Sequence, residues 1–280
     1  MSAALALASA RSGKRTLVCE VNAVERITVF LERPPVGGDV QLVEDNLWAV
    51  NVEPEQALRE YALMILKFQS IYKAVFENRF VRYFLRFIPS VQELVLLGKI
   101  LFHLREKLPD GRWKWDRIIM DAPATGHAIS FLNVPQVILD TVPPGPLSKE
   151  AQTMRNLLVD PKVTGAVLVT LPEEMPINET IDLYRAFTQN VKVTPVVSVL
   201  NMFVPHRFTE RDEAETPPEL RDVVRHHHVR EQASLAAQER LERELKLPVV
   251  PVPRLFDPKV TRTTIERVAE HLASIWENPS

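Results

Sequence analysis

The stretch from Trp115 to Leu132, WDRIIMDAPATGHAISFL, constrains the fold of this chain most. Ile118, Ile119 and Met120 form a short apolar run of the kind found in a strand buried on both faces. Asp121 stands where that run ends. Ala122 and Pro123 stop the strand, Thr125 and Gly126 make a turn, and from His127 the apolar positions Ile129, Phe131 and Leu132 follow a helical pattern. A strand that delivers an Asp into a tight turn before a helix puts a carboxylate at the carboxyl end of a parallel sheet, in the crevice where open α/β sheets bind ligands. An Asp so placed commonly orients Mg²⁺ or its waters around a nucleotide phosphate. Gly126 would let the backbone approach a terminal phosphate closely. Spacing alone leaves a purely structural Asp equally open.

The chain has 280 residues, 46% hydrophobic and 25% charged, which suits a globular protein with one large core and room for a subdomain. The formal net charge of −2 gives no reason to expect nucleic acid as a partner. A single cysteine, Cys19, rules out internal disulfides and a cysteine-rich zinc site, and suits a reducing cytoplasm. No charged segment precedes a long apolar core, and no run of 18 apolar residues occurs, so neither a signal peptide nor a transmembrane segment is expected.

Strand and helix signals alternate along the chain. Residues 1–11 read as an Ala- and Leu-rich helix closed by Gly13, and Thr16 to Val21 (TLVCEV) as a buried strand. Residues 34–45 read as a loop and Asn46 to Val52 as a short strand. Pro54 opens a helical region reaching about Lys107, broken at Pro89-Ser90, with Ser90 as an N-cap and Glu93 completing a capping box. Thr164 to Thr170, Thr194 to Leu200 and Leu247 to Val252 read as further strands, with helices between them and a closing helix within residues 257–276. The pattern predicts an α/β protein with a mostly parallel sheet and helices on both faces, and a helical subdomain at about residues 54–107 inserted in a single domain covering residues 1–280. His226, His227 and His228 splay around a helix and cannot share one metal, so they are expected on a solvated face.

The segment DAPATGHAISFL resembles the DTAPTGHTLRFL motif of the arsenite-pump ATPase family, which also contains the ATPase that targets tail-anchored membrane proteins. VTLPEEMPINET is similar to that family's VT-x-PE segment. The resemblance implies a P-loop NTPase fold of the SIMIBI kind with a deviant Walker A loop. It also implies a dimer with phosphates at the subunit interface, and hydrolysis by Mg²⁺-assisted attack of water on the γ-phosphate of ATP. By the same resemblance Asp121 would lie near the metal, through water, and Gly126 would sense the phosphate. Asn22 would occupy the switch I position where the family usually carries Asp to orient the attacking water, with Glu20 or Glu25 as stand-ins. Asn201 would hydrogen-bond adenine, a task its amide suits because it both donates and accepts. Pro253, Arg254 and Leu255 would pack against the base.

Two features depart from the family. Asn22 stands for Asp, and an amide cannot accept a proton. No G-x-x-x-x-G-K-[ST] loop occurs: Gly13-Lys14 is followed by Arg15, and Gly98-Lys99 by Ile100. The sequence thus looks cut immediately after that loop, and an upstream strand and loop are expected, without which the strand at Thr16 to Val21 would have an unpaired buried edge. The competing expectation is a catalytically inactive binding or scaffold subunit pairing with an active paralogue. Phe76, Phe80, Phe84 and Phe87, with Leu94, Leu97 and Leu101, form apolar stripes at helical spacing. They fit a core, a groove for an apolar client helix, or membrane-surface contact beside Arg79, Arg82 and Arg86. A role in metalloid transport is not expected, since the family's arsenite-binding cysteines have no counterpart.

Overall fold

A computed structural model describes residues 1–21, 24–59, 89–207 and 209–277. It divides into two compact units, one of Met1–Asp160 with Val260–Trp276, the other centred on Pro161–Lys259. Each is mixed α/β, with a mostly parallel sheet flanked by helices, as the alternating pattern predicts.

In the first unit α1 (Ser2–Arg11) leads to β1 (Thr16–Val21) and the short α2 (Ile27–Phe30), then to the hairpin β2 (Gln41–Glu44) and β3 (Leu47–Val52). Residues 54–59 are helical. After residue 88 come α3 (Pro89–His103), β4 (Arg117–Asp121), α4 (Thr125–Thr141) and α5 (Pro146–Val159). Helix α9 (Arg262–Leu272) and a last turn α10 (Ser274–Glu277) close the chain. The strand order is β2-β3-β1-β4. β1 runs parallel to both β3 and β4, and β2 pairs antiparallel with β3. All six residues of β1 are buried, the mark of a central parallel strand. β1 therefore has no free edge, contrary to expectation. Among the described strands the edges of this sheet are β2 and β4, and the residues of β4 are all half-buried.

Helix α1 is buried from Ala3 to Ala10, since its Ala and Leu side chains give no polar face to turn outward. It packs on the sheet and against α9. Gly13, at φ +79°, ends it in the left-handed conformation that the sequence predicts. The hairpin β2–β3 was expected as loop and strand. Asn46, at φ +59°, makes its turn, a conformation Asn tolerates. Ser148 stands near the start of α5. It lies within the helix, accepting the Gly145 N–H at 2.8 Å and donating to the Gly145 carbonyl at 3.0 Å.

In the second unit β5 (Gly165–Thr170), β6 (Thr194–Phe203) and β7 (Val249–Pro253) form a parallel sheet in that order. Helix α6 (Glu174–Ala186) runs into a π-turn at Phe187–Val191, and α7 (Glu210–Glu215) and a 3₁₀ turn (Pro218–Leu220) precede the long α8 (Arg221–Leu245). Ile177 and Ile181 of α6 pack with Leu200 of β6 and with Ala237, Leu241 and Leu245 of α8 to form the core of this unit.

Leu94, Leu97 and Leu101 of α3 are buried within the first unit. The phenylalanine half of the apolar stripe, Phe76 to Phe87, lies outside the described residues, as does most of the 54–107 region. No helix among the described residues is long and apolar enough to cross a membrane.

Candidate functional site

β4 places Asp121 at its last position, directly opposite Glu20 of β1 in the parallel register. The two side chains share one face of the sheet. The sequence predicts Asp121 at a strand's end, and the structure puts it there. α1 begins beside it: the Ser2 hydroxyl donates to Asp121 Oδ1 at 2.5 Å, across 119 positions of sequence. α4 begins four residues after Asp121, its first turn formed by Thr125, at φ +22°, and Gly126. A Cβ added at Gly126 would meet no atom within 4 Å, so the space over this glycine is open. The helix starts at Thr125 rather than His127, with its first-turn N–H groups close in sequence to Asp121, that of His127 already donating to the Ala124 carbonyl at 3.0 Å.

Glu20 is 3% exposed. Burial pushes its carboxyl above the ordinary glutamate value, the backbone N–H groups of Arg26 and Ile27 oppose that, and the charges of Asp121 and Glu25 add to it. Its Oε1 accepts the Arg26 N–H at 2.8 Å and the Ile27 N–H at 3.1 Å. Glu25 accepts the Val36 N–H at 2.8 Å and also takes the Gly37 N–H. Both glutamates are thus occupied in tying down the backbone after β1, which weakens either as a substitute for the switch I residue. Asn22 itself lies outside the described residues.

Cys19, one residue before Glu20 on β1, is fully buried and its thiol is pushed up to about 12 by burial. It is a packing residue and offers no nucleophile.

The donors at Asp121 are hard oxygens, a carboxylate and a hydroxyl, the type Mg²⁺ takes. No group of three or more His, Cys, Asp or Glu able to hold a metal by itself occurs among the described residues. Mg²⁺ keeps most of its shell as water and phosphate oxygen and takes one or two protein ligands, a number the Asp121 carboxylate can meet.

In the second unit Asn201 lies inside β6 rather than just past it, since the strand runs on to Phe203. The β6–β7 register shifts between Leu200 and Phe203, and Met202 adopts φ +56°. A bulge of this kind re-aims the side chains around it. Phe203 pairs with Pro253, and the Arg254 N–H donates to the Phe203 carbonyl at 2.8 Å. Asn201 and the segment from Pro253 to Leu255 thus both lie at the carboxyl ends of neighbouring parallel strands, with Phe203 rather than Asn201 opposite Pro253. The Arg254 guanidinium sits 5.5 Å from the Phe256 ring centroid.

A family model described as "Anion-transporting ATPase" matches residues 1–143, just over half the chain. The protein belongs to the anion-transporting ATPase family. The match takes in α1, β1, β4 and α4, the elements that assemble Ser2, Glu20, Asp121 and Gly126. Among curated proteins, the ATPase BagA of Mycobacterium tuberculosis is 28% identical over 229 residues, covering 76% of this chain and 63% of that protein. A protein of Mycobacterium bovis named "Putative ATPase Mb3704" matches with the same identity and coverage. The matched stretch therefore covers less than two thirds of these relatives' own length.

Ser2 and Glu20 complete the Asp121 cluster and were not legible as partners of it in the sequence. Ser2 carries no local signal, and its link to Asp121 exists only once α1 has folded onto the sheet.

Proposed function

We propose that this member of the family is an Mg²⁺-dependent ATPase that couples nucleotide binding and hydrolysis to a conformational switch. The observation that supports this most is the Ser2 hydroxyl on the Asp121 carboxylate at the end of a strand of a mostly parallel sheet, with α4 beginning four residues further on. Asp121 would hold Mg²⁺, through water, and Mg²⁺ when bound would neutralise phosphate charge and act as a Lewis acid. Gly126 and the first-turn N–H groups of α4 would receive phosphate oxygens from the open space above them. Asn22 would orient the attacking water, more weakly than an Asp. In the second unit, Asn201 would read the adenine edge, with Pro253, Arg254 and Leu255 packed against the ring.

The protein would work in the cytoplasm as a homodimer or as a heterodimer with a paralogue, and the phenylalanine stripe from Phe76 to Phe87 would take up a hydrophobic client helix. A second reading follows from Asn22, whose amide cannot accept a proton: a silent subunit that binds an active paralogue without turning over ATP. Phosphate release from ATP, measured on the full-length protein with Mg²⁺ and with EDTA, separates the two. Mg²⁺-dependent turnover supports the ATPase. Nucleotide binding without turnover, restored only on mixing with a paralogue, supports the silent subunit. Absence of both binding and turnover sinks both.

A further inference from the structure

Helix α8 looks in sequence like a charged, solvated helix, yet it carries a buried polar face. Glu231 and Ser234 are both 0% exposed. With His227 they lie at spacings of four and three residues, one side of the helix. All three are spent on one short segment, residues 204–207, which leaves β6 directly after the Asn201 bulge. The Val204 N–H donates to Ser234 Oγ at 3.1 Å, while the Ser234 hydroxyl donates to the Arg230 carbonyl at 2.8 Å. The His227 ring shares a hydrogen bond with the Pro205 carbonyl. Glu231 pairs with His206 Nδ1 through one carboxylate oxygen and accepts the Arg207 N–H at 3.3 Å through the other. Four consecutive residues are thus each pinned to the same face of α8.

A buried carboxylate is costly and is kept only when its partners are well placed. The core of this unit does not use Glu231, because α8 packs on α6 and β6 through Ala237, Leu241 and Leu245. What the pinning does fix is the exit of β6. Met202, a non-glycine residue held at φ +56°, sits between Asn201 and the pinned segment. A conformation of this kind persists only where its surroundings over-determine it. It is held on one side by the β6–β7 pairing and on the other by α8.

We propose that Glu231, with His227 and Ser234, forms a positioning face that locks residues 204–207 and so aims Asn201, setting the base selectivity of a purine-nucleotide subsite. This rests on Asn201 being the base contact. None of the three residues touches the base. They act through the backbone that carries Asn201.

The test is calorimetric titration of the full-length protein with ATP and with GTP, so the readout is discrimination between bases rather than turnover. The wild type should favour ATP, and Asn201→Ala should erase the preference. Glu231→Gln and Ser234→Ala should each lower the preference about tenfold, the discrimination carried by one well-aimed hydrogen bond, with folding retained. His206→Ala removes the partner of Glu231 at a side chain that is 57% exposed, so it tests the same link should a buried variant fail to fold, and it should weaken the preference too. Erasure by Asn201→Ala together with unchanged discrimination in the folded α8 and His206 variants overturns the positioning role and leaves the base contact standing. Unchanged discrimination in Asn201→Ala removes the base contact itself, and the positioning role with it.

Discussion

Glu106 is where a single change should loosen the segment that feeds Asp121 into its site. Its carboxylate lies 2.6 Å from His103 Nδ1 and accepts from Lys114 Nζ and Trp115 Nε1, both at 2.9 Å. Trp115 is buried against Trp48, ring centroids 5.2 Å apart, one residue before the turn into β4. Burial pushes the Glu106 carboxyl up, but the hydrogen bonds outweigh it and hold the group at about 2, against an ordinary 4.5. That difference corresponds to roughly 3 kcal/mol of folded-state stability. The Glu106 and Lys114 side chains are 20% and 35% exposed, so screening by water reduces the figure to about 2 kcal/mol. Glu106→Gln keeps the shape but turns an amide N–H₂ toward groups that already donate. At neutral pH the variant should lose that much, a fall of roughly 4–8 °C in melting temperature followed by tryptophan fluorescence. The sign with pH is fixed by the depressed carboxyl. Its contribution is fully present above 4.5 and is lost as pH falls through about 2, so the gap between wild type and variant should close across that window. A variant as stable as wild type at neutral pH, or a gap that persists undiminished at the acid end, would refute the hydrogen-bonded hub as the cause.

Three further outcomes are expected. Asn22→Asp should raise the rate of phosphate release, because a carboxylate orients and polarises water better than an amide; an unchanged rate, with Glu20→Gln abolishing turnover, would move the role to Glu20. Cys19 should resist a thiol reagent in the folded protein and react only on unfolding, since its thiol is fully buried and pushed up to about 12; modification at the rate of a free thiol would contradict its placement. Replacing Phe80 and Phe84 with Ser should leave the protein folded but unable to retain an apolar helical peptide, whereas a collapsed melting temperature would assign those residues to the protein's own core.

What the sequence discloses and what it hides follow from how local each signal is. TLVCEV reads as a central strand because β1 is buried on both faces and both faces are apolar apart from Thr16 and Glu20. DAPATGHAISFL places Asp121 correctly because strand, Pro and helix signals follow one another within a few residues. β2 escapes notice because QLVE buries only Val43 and its pairing is supplied by β3. Asn201 was expected past the end of its strand, and only the pairing of Phe203 with Pro253 carries β6 beyond it. The partners of Asp121 were hidden for the same reason: Ser2 is 119 positions away. Glu231 was hidden more deeply, since nothing in a helix as charged as α8 marks one glutamate as fully buried. Its burial is created by residues 204–207 folding against it. His227 was expected on a solvated face with its neighbours, and instead it is drawn onto the Pro205 carbonyl.

The central claim is that Asp121 is the metal-side carboxylate of a nucleotide site. The most direct measurement is the affinity of the full-length protein for ATP as a function of Mg²⁺ concentration, for wild type and for Asp121→Asn. The Asn side chain can still accept from the Ser2 hydroxyl, so the fold should be unaffected and melting temperatures should agree. Wild type should bind ATP at least about tenfold more tightly with Mg²⁺ than without it, and Asp121→Asn should lose that enhancement. An Asp121→Asn protein that keeps the full Mg²⁺ enhancement would contradict the assignment.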